Sequence, residues 1–170
     1  MESQFPYLLA LELVFLIFIV IPSMRRGSKE KTFLKNLKKG DRVAAYVPNK
    51  IESIISFLAC VKNGVIWSSC SPDFGTQGVV DRFKQIEPSI LITSDHYFYN
   101  GKKINILEKV EDILKKIPSI KKTLVFAYNK REEMNLKNQT NFDHILDEAE
   151  VDETFERFEF NHPIYILYSS

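Results

Sequence analysis

The stretch that decides the fold is residues 40–69, GDRVAAYVPNKIESIISFLACVKNGVIWSS, which alternates apolar runs with an amphipathic segment. Residues 42–47 have the composition of a buried strand, and Pro48 stops it. Asn49 is the expected N-cap of the following helix, and Glu52 stands three residues later, as in a capping box. This order predicts a strand that turns directly into a helix.

The helix should carry its apolar side chains on one face, because they recur three or four positions apart: Ile51, Ile54, Ile55, Leu58 and Val61. Gly64 follows, at the place where a glycine commonly ends a helix. The run VIWSS, residues 65–69, is then the second strand. Together these segments predict a βαβ unit.

The same alternation continues to the end of the chain. We predict further helices over residues 76–86, 106–117 and 142–149, and further strands over residues 90–94, 123–128 and 164–168. Two segments break the rhythm: the aromatic and polar stretch HYFYNGKK, residues 96–103, and the polar residues 129–140, which we expect to form a surface loop.

Strands with nearly continuous apolar cores, separated by helices, predict an α/β fold. The sheet should be mostly parallel, with helices on both faces and right-handed crossovers. Ligands of such sheets bind beyond the carboxyl ends of the strands. Ser169 and Ser170 follow the last predicted strand and should lie at that edge.

Composition and charge exclude several classes of protein. The chain has 170 residues and a formal net charge of +1, and no basic block is interleaved with aromatic residues, so we do not expect nucleic-acid binding. Cys60 and Cys70 lack the spacing of a disulfide framework or zinc site, which fits a reduced cytosolic protein. The three histidines are scattered, and we predict no metal site.

Residues 5–24 differ from this globular pattern because they are mostly apolar and contain one charged residue, Glu12. As a helix they would just span a hydrocarbon core of about 30 Å. Arg25 and Arg26 follow directly and would keep the rest of the chain in the cytoplasm. A single membrane anchor is therefore one interpretation. There are two other interpretations: a buried apolar helix, and an N-terminus that does not belong to the parent domain.

Three stretches carry a resemblance to a known family: residues 40–49, residues 63–75 and residues 162–170, HPIYILYSS. In this order they resemble landmarks of the adenylate-forming acyl-CoA synthetase superfamily. The motif WSSCSPDFG, followed by DRFKQIEPSILIT and YNGKK, is more similar to acetoacetyl-CoA synthetases than to acetyl-CoA synthetases. The resemblance covers residues 31–170, and residues 1–30 have no counterpart in it.

The resemblance implies part of the large N-terminal domain of an adenylate-forming enzyme, an AMP-binding domain cut at the start of its phosphate loop. The family forms an acyl-adenylate from ATP and acetoacetate, with Mg²⁺, and then transfers the acyl group to CoA. By position, Ser169 and Ser170 match the opening of the loop that binds the ATP phosphates, and Lys102 matches a residue that contacts a CoA phosphate. The family's catalytic lysine would lie beyond Ser170, so we assign no catalytic residue and expect the chain to be inactive alone.

Two alternatives remain beside a cytoplasmic fragment of an acetoacetate–CoA ligase. The first is a membrane-anchored, non-catalytic α/β module that uses the fold for binding or scaffolding, with its domain on the cytoplasmic side. The second is a small flavodoxin-like nucleotide binder, which we disfavour because no glycine-rich phosphate motif follows any strand.

Overall fold

The structure, a computed structural model, describes residues 37–128, 136, 138–148 and 155–169. Its strands are β1 (Arg42–Tyr46), β2 (Ile66–Cys70), β3 (Ile90–Ser94), β4 (His96–Tyr99), β5 (Lys102–Asn105), β6 (Lys122–Phe126) and β7 (Gln139–Asn141). Its helices are α1 (Ile51–Lys62), α2 (Thr76–Ile86), α3 (Leu107–Lys116) and α4 (Phe142–Glu148).

Five of the strands form one parallel sheet in the order β2-β1-β3-β6-β7. The order places β1 inside the sheet, between β2 and β3, and both of its faces are covered. Val43 and Ala45 belong to the core on one face, and Ala44 and Tyr46 belong to the core on the other. The α/β prediction with a mostly parallel sheet is confirmed.

Helices cover both faces of the sheet, as predicted. On one face, α1 and α4 contribute Ile55, Ala59 and Phe142 to the core that also contains Trp67. On the other face, α2 and α3 contribute residues such as Phe83 to a second core. The sheet therefore separates two cores, and the loops at its carboxyl edge are free to form a site.

The face of α1 that packs on the sheet differs from the predicted apolar face. Ile51, Ile54 and Leu58 are 45%, 56% and 47% exposed. The buried residues of the helix are Ile55, Ser56, Ala59 and Cys60. These are mostly small, and small side chains let the helix backbone approach the sheet closely. The apolar pattern identified the helix correctly but did not identify the face that packs.

The predicted capping box at Asn49 is wrong. The N-cap position is Lys50, whose backbone is extended, and no side chain caps the helix. Glu52 instead pairs with Lys50, with Nζ and Oε1 3.4 Å apart. Ser53 Oγ donates to the carbonyl of Pro48 at 2.8 Å and holds the turn there. The end of the helix agrees with the prediction, because Gly64 follows in a left-handed conformation.

The stretch that broke the strand–helix alternation is an antiparallel hairpin. β4 and β5 pair across Asn100 and Gly101, which have φ values of 47° and 73°. An Asn-Gly pair at positive φ is typical of a two-residue hairpin turn, because the twist of that turn matches the twist of its strands. The hairpin is a separate two-stranded sheet and shares no strand with the parallel sheet.

Two further predictions differ from the structure. The predicted loop 129–140 contains the start of β7, which pairs with β6; residues 129–135 and 137 lie outside the described residues. Residues 164–168 run parallel to β2, but they make one isolated bridge, between Tyr165 and Trp67, instead of a full strand. The last apolar run is therefore in the expected place with a weaker attachment.

Residues 5–24 lie outside the described residues, so the membrane anchor stays a prediction. Within the part of the chain that the structure describes, no helix has the length and apolarity needed to cross a bilayer.

Candidate functional site

A cavity of about 540 Å³ opens at the carboxyl ends of β1, β2 and β3. Its lining residues come from the loops after β1 and β2, from α1, from the hairpin and from the end of β6. They include Asn49, Ser53, Phe57, Trp67, Ser69, Cys70, Ser71, Asp73, Tyr97, Phe98, Tyr99 and Tyr128. This is the edge at which parallel α/β sheets bind ligands.

The turn after β2 forms one wall of the cavity and is held from below by Tyr46. The phenolic oxygen of Tyr46 lies 2.8 Å from the carbonyl oxygens of both Pro72 and Phe74. Burial raises the pKa of this phenol far above its usual value, so it remains a donor. Ser71 Oγ donates to Asp73 Oδ2 at 2.9 Å and closes the turn.

The hairpin forms the opposite wall and is aromatic. Tyr97 is buried, whereas Phe98 and Tyr99 are 57% and 63% exposed. Tyr97 and Asp73 both line the cavity; burial raises the pKa of Tyr97, and the carboxylate of Asp73 adds to the shift. The cavity thus joins aromatic surface to hydroxyl groups and one carboxylate.

Asp95 fixes the hairpin to the sheet. Its Oδ1 accepts the backbone N–H groups of His96 at 2.8 Å and Tyr128 at 3.1 Å, and its carbonyl accepts the N–H of Ile106 at 3.2 Å. His96 Nδ1 lies 2.9 Å from Asp95 Oδ2, although the two atoms are not aligned for a hydrogen bond. Asp95 therefore ties both ends of the hairpin to the end of β6.

Lys102 is exposed at the start of β5, directly opposite Tyr99 in the hairpin register. Tyr99 lines the cavity and Lys102 does not. The structure therefore brings the predicted CoA-contacting lysine to the hairpin that forms the wall, outside the cavity itself. Cys70 is buried, burial raises its pKa, and it also lines the cavity.

Ser169 is described and exposed, and Ser170 lies outside the described residues. Because residues 164–168 run parallel to β2, Ser169 reaches the same carboxyl edge as the cavity. A second attachment supports this placement, since the Tyr168 hydroxyl donates to the carbonyl of Arg82 at 2.6 Å. The role of Ser169 in phosphate binding stays a prediction.

The charged groups around the cavity are few. No lysine or arginine belongs to its described lining. Two cations of the neighbouring segments are packed on aromatic rings: Lys50 Nζ lies 3.8 Å from the ring centre of Tyr128, and the guanidinium of Arg82 lies 4.7 Å from that of Phe74. The described residues also contain no group of three His, Cys, Asp or Glu side chains that could hold a metal ion.

The sequence analysis did not predict most of the cavity wall that the hairpin forms. It did not identify Asp95 as the residue that fixes the hairpin, or Tyr97 and Phe98 as lining residues. One signal was available: the dipeptide Asn100-Gly101 between two short runs predicts a hairpin, which would have brought residues 96–99 beside residues 102–105. No sequence signal placed Tyr97 next to Asp73.

Comparisons with known proteins agree with the resemblance. The family model of AMP-binding enzymes matches residues 32–170. An acetoacetyl-CoA synthetase of Xenopus tropicalis is 41% identical over 143 residues, 79% of this chain and 21% of that protein. An acetoacetyl-coenzyme A synthetase of Rhizobium meliloti is 43% identical over 133 residues, 77% of this chain and 20% of that protein.

The fold agrees as well. The solved acetoacetyl-CoA synthetase from Streptomyces lividans superposes with a TM-score of 0.80 and 30% sequence identity, over 86% of this chain and 23% of that chain. This chain therefore spans about a fifth of the length of the synthetases that it matches.

Proposed function

Because the chain belongs to the AMP-binding enzyme family, we propose that it is part of an acetoacetate–CoA ligase and carries one wall of that enzyme's nucleotide-binding surface. The observation that carries this proposal is the cavity at the carboxyl edge of the sheet, between the turn of residues 71–75 and the aromatic hairpin. Similarity to acetoacetyl-CoA synthetases of a vertebrate and a bacterium supports the choice of substrate. A cytoplasmic location is part of the same proposal.

The reaction we propose for the whole enzyme has two steps. The acetoacetate carboxylate attacks the α-phosphorus of ATP, which forms acetoacetyl-AMP and releases pyrophosphate. The CoA thiol then attacks the acyl carbon, a thioester forms, and AMP leaves. Mg²⁺ would balance the phosphate charge in the first step.

Within this scheme the present residues bind and orient. The hydroxyl groups of Ser169 and Ser170 would donate hydrogen bonds to the ATP phosphates at the carboxyl edge. The aromatic wall of Tyr97, Phe98 and Tyr99 would contact the flat or apolar parts of CoA. Lys102, exposed beside Tyr99, would meet a CoA phosphate outside the cavity, whose described lining contains no cation.

The first experiment tests the CoA contact by calorimetric titration of the 170-residue chain with CoA. Lys102→Ala should weaken binding by up to about fivefold, equivalent to roughly 1 kcal/mol for an exposed ion pair. Lys103→Ala is the matched control, because adjacent strand residues point to opposite faces. Equal effects of the two substitutions would refute the assignment of Lys102.

A second experiment tests the extent of the activity. We expect the chain alone to release no pyrophosphate from ATP in the presence of acetoacetate, since it spans about a fifth of the synthetases it matches. Acetoacetate-dependent release above the blank would show that the chain contains a complete adenylation site, and this part of the proposal would be wrong.

A further inference from the structure

His96 is a buried histidine at the base of the hairpin, and it does not belong to the described lining of the cavity. Its ring contacts two rings that do line the cavity: the ring centre lies 5.3 Å from that of Phe98 and 4.6 Å from that of Tyr128. The centres of these two rings are themselves 5.6 Å apart. The three rings form one cluster, in which His96 supports the two rings that face the cavity.

The polar side of the imidazole faces Asp95, the residue that ties the hairpin to the sheet. His96 Nδ1 lies 2.9 Å from Asp95 Oδ2, and the two side chains are 3% and 2% exposed. Within the part of the chain that the structure describes, neither atom has a hydrogen-bond partner. Asp95 Oδ1, in contrast, accepts two backbone N–H groups. A buried carboxylate oxygen without a donor is unfavourable, and a positive charge on the imidazole would compensate it.

Two further charged groups border the cluster, Lys50 and Glu52 at the start of α1. Lys50 Nζ lies 3.8 Å from the ring centre of Tyr128 and 3.4 Å from Glu52 Oε1. Burial raises the pKa of the Tyr128 phenol, and Glu52 and Asp95 add to the shift, so the phenol is neutral near pH 7. With a neutral imidazole, the group therefore contains two carboxylates and one ammonium. Protonation of His96 balances these charges.

We propose that His96 is a positioning residue for the aromatic wall: its protonated imidazole pairs with Asp95 and holds the hairpin on the sheet, and its neutral form weakens this hold. Histidine is the side chain whose charge ordinarily changes between about pH 5 and 8. Phe98 and Tyr128 should therefore be fixed at the cavity in the acidic part of this range and less firmly fixed in the alkaline part. The inference rests on the proposed function only in naming CoA as the ligand that meets this wall.

Hydrogen exchange of the 170-residue chain tests this hold without any ligand. The amides of Tyr128 and Ile106 read it directly, because both bond to Asp95. We expect their protection, corrected for intrinsic exchange, to fall by at least about tenfold from pH 6 to pH 8, the size expected for one hydrogen bond to a charged group. The amides of β1 should not change, and the His96 ring signals in the NMR spectrum should titrate with the same midpoint. Protection that is independent of pH, or that follows a different midpoint, would overturn the proposal.

Three variants separate the charge from the packing. His96→Phe keeps a ring in the cluster but cannot be charged, and Asp95→Asn keeps an acceptor for the two backbone N–H groups but removes the negative charge. Both should abolish the pH dependence. His162→Gln is the matched control and should keep it, because His162 also stacks on a ring, that of Phe158, but lies beside Gly64 at the amino end of β2. A pH dependence that survives in His96→Phe, or that His162→Gln removes, would refute the role of His96.

Calorimetric titration with CoA separates this inference from the proposed function. CoA should bind the native chain more tightly at pH 6 than at pH 8, and the ratio of the two affinities should be smaller in His96→Phe, since the titration of CoA itself is common to both chains. Equal ratios in the two chains would overturn the role of His96. Exchange protection that falls with pH in a chain that binds no CoA would support the role of His96 and refute the proposed CoA contact.

Discussion

Replacement of Gly64 by alanine should destabilise the chain through two effects, backbone strain and a clash with the ring of Phe158. Gly64 joins α1 to β2 with φ of +65°, where an L-residue costs about 1–2 kcal/mol. An added Cβ would lie 2.5 Å from Cε1 and 2.7 Å from Cζ of Phe158. The ring would have to move off His162, whose ring centre is 5.1 Å away, at a cost of about 1 kcal/mol. We therefore expect Gly64→Ala to lower the free energy of unfolding by about 2–3 kcal/mol.

The assay is urea denaturation followed by circular dichroism, with Gly101→Ala as the control. Gly101 also has positive φ, +73°, but an added Cβ there would meet no atom within 4 Å. The control thus measures backbone strain alone, and the difference of about 1 kcal/mol between the two variants measures displacement of the Phe158 ring. At a typical urea dependence of about 2 kcal/mol per molar, Gly64→Ala should lower the midpoint by about 1 M or more.

The double variant Gly64→Ala, Phe158→Ala tests the cause. If the ring is responsible, removal of Phe158 should cost less in the alanine background than in the native chain, because the clash is gone. Equal losses from Gly64→Ala and Gly101→Ala, together with additive effects in this cycle, would refute the packing argument.

Tyr46→Phe should lower the free energy of unfolding by about 1–3 kcal/mol, because the carbonyls of Pro72 and Phe74 lose the one phenolic O–H that they share; a urea midpoint that changes by less than the error would contradict this. Stability should also fall at alkaline pH. Burial raises the folded-state pKa values of Cys70 and Tyr46 above their usual 9.0 and 10.0, so the unfolded chain loses these protons first. Each group then lowers the free energy of unfolding by up to about 1.4 kcal/mol per pH unit. A free energy of unfolding that stays constant from pH 8 to 11 would be inconsistent with this prediction. Finally, residues 5–24 should hold the expressed chain in membranes through carbonate extraction, and Glu12→Leu should strengthen retention; recovery of the full-length chain in the soluble fraction would rule out the anchor.

The class of fold was predictable from sequence because it depends on local features. Helix α2 agrees with the predicted residues 76–86, and β3 agrees with residues 90–94. Strands buried on both faces must be apolar at consecutive positions, and helices between them must be amphipathic, so composition and period identify both. The family was predictable for a related reason: its motifs are short, contiguous stretches in a fixed order.

Part of the candidate site could also be predicted. The carboxyl edge follows from the parallel topology, which placed Ser169 there, and residues 71–75 belong to a motif that the sequence showed to be family-like. The facing wall could not be predicted in the same way. Tyr97 meets Asp73 because the hairpin folds back over the sheet, and Asp95 holds it there through the backbone of Tyr128. Contacts between residues so far apart in sequence have no local signature.

What the sequence by itself determined about this protein is the βα alternation, the parallel sheet and the order of the family motifs, since each depends on neighbouring residues. Only the tertiary structure decided which face of α1 packs on the sheet. Apolar residues occur on two sides of that helix, and the side that is buried is the one with the small residues Ser56 and Ala59. The same holds for residues 164–168: their apolarity predicted a strand, but whether their outer edge is covered depends on a neighbour that sequence periodicity does not specify.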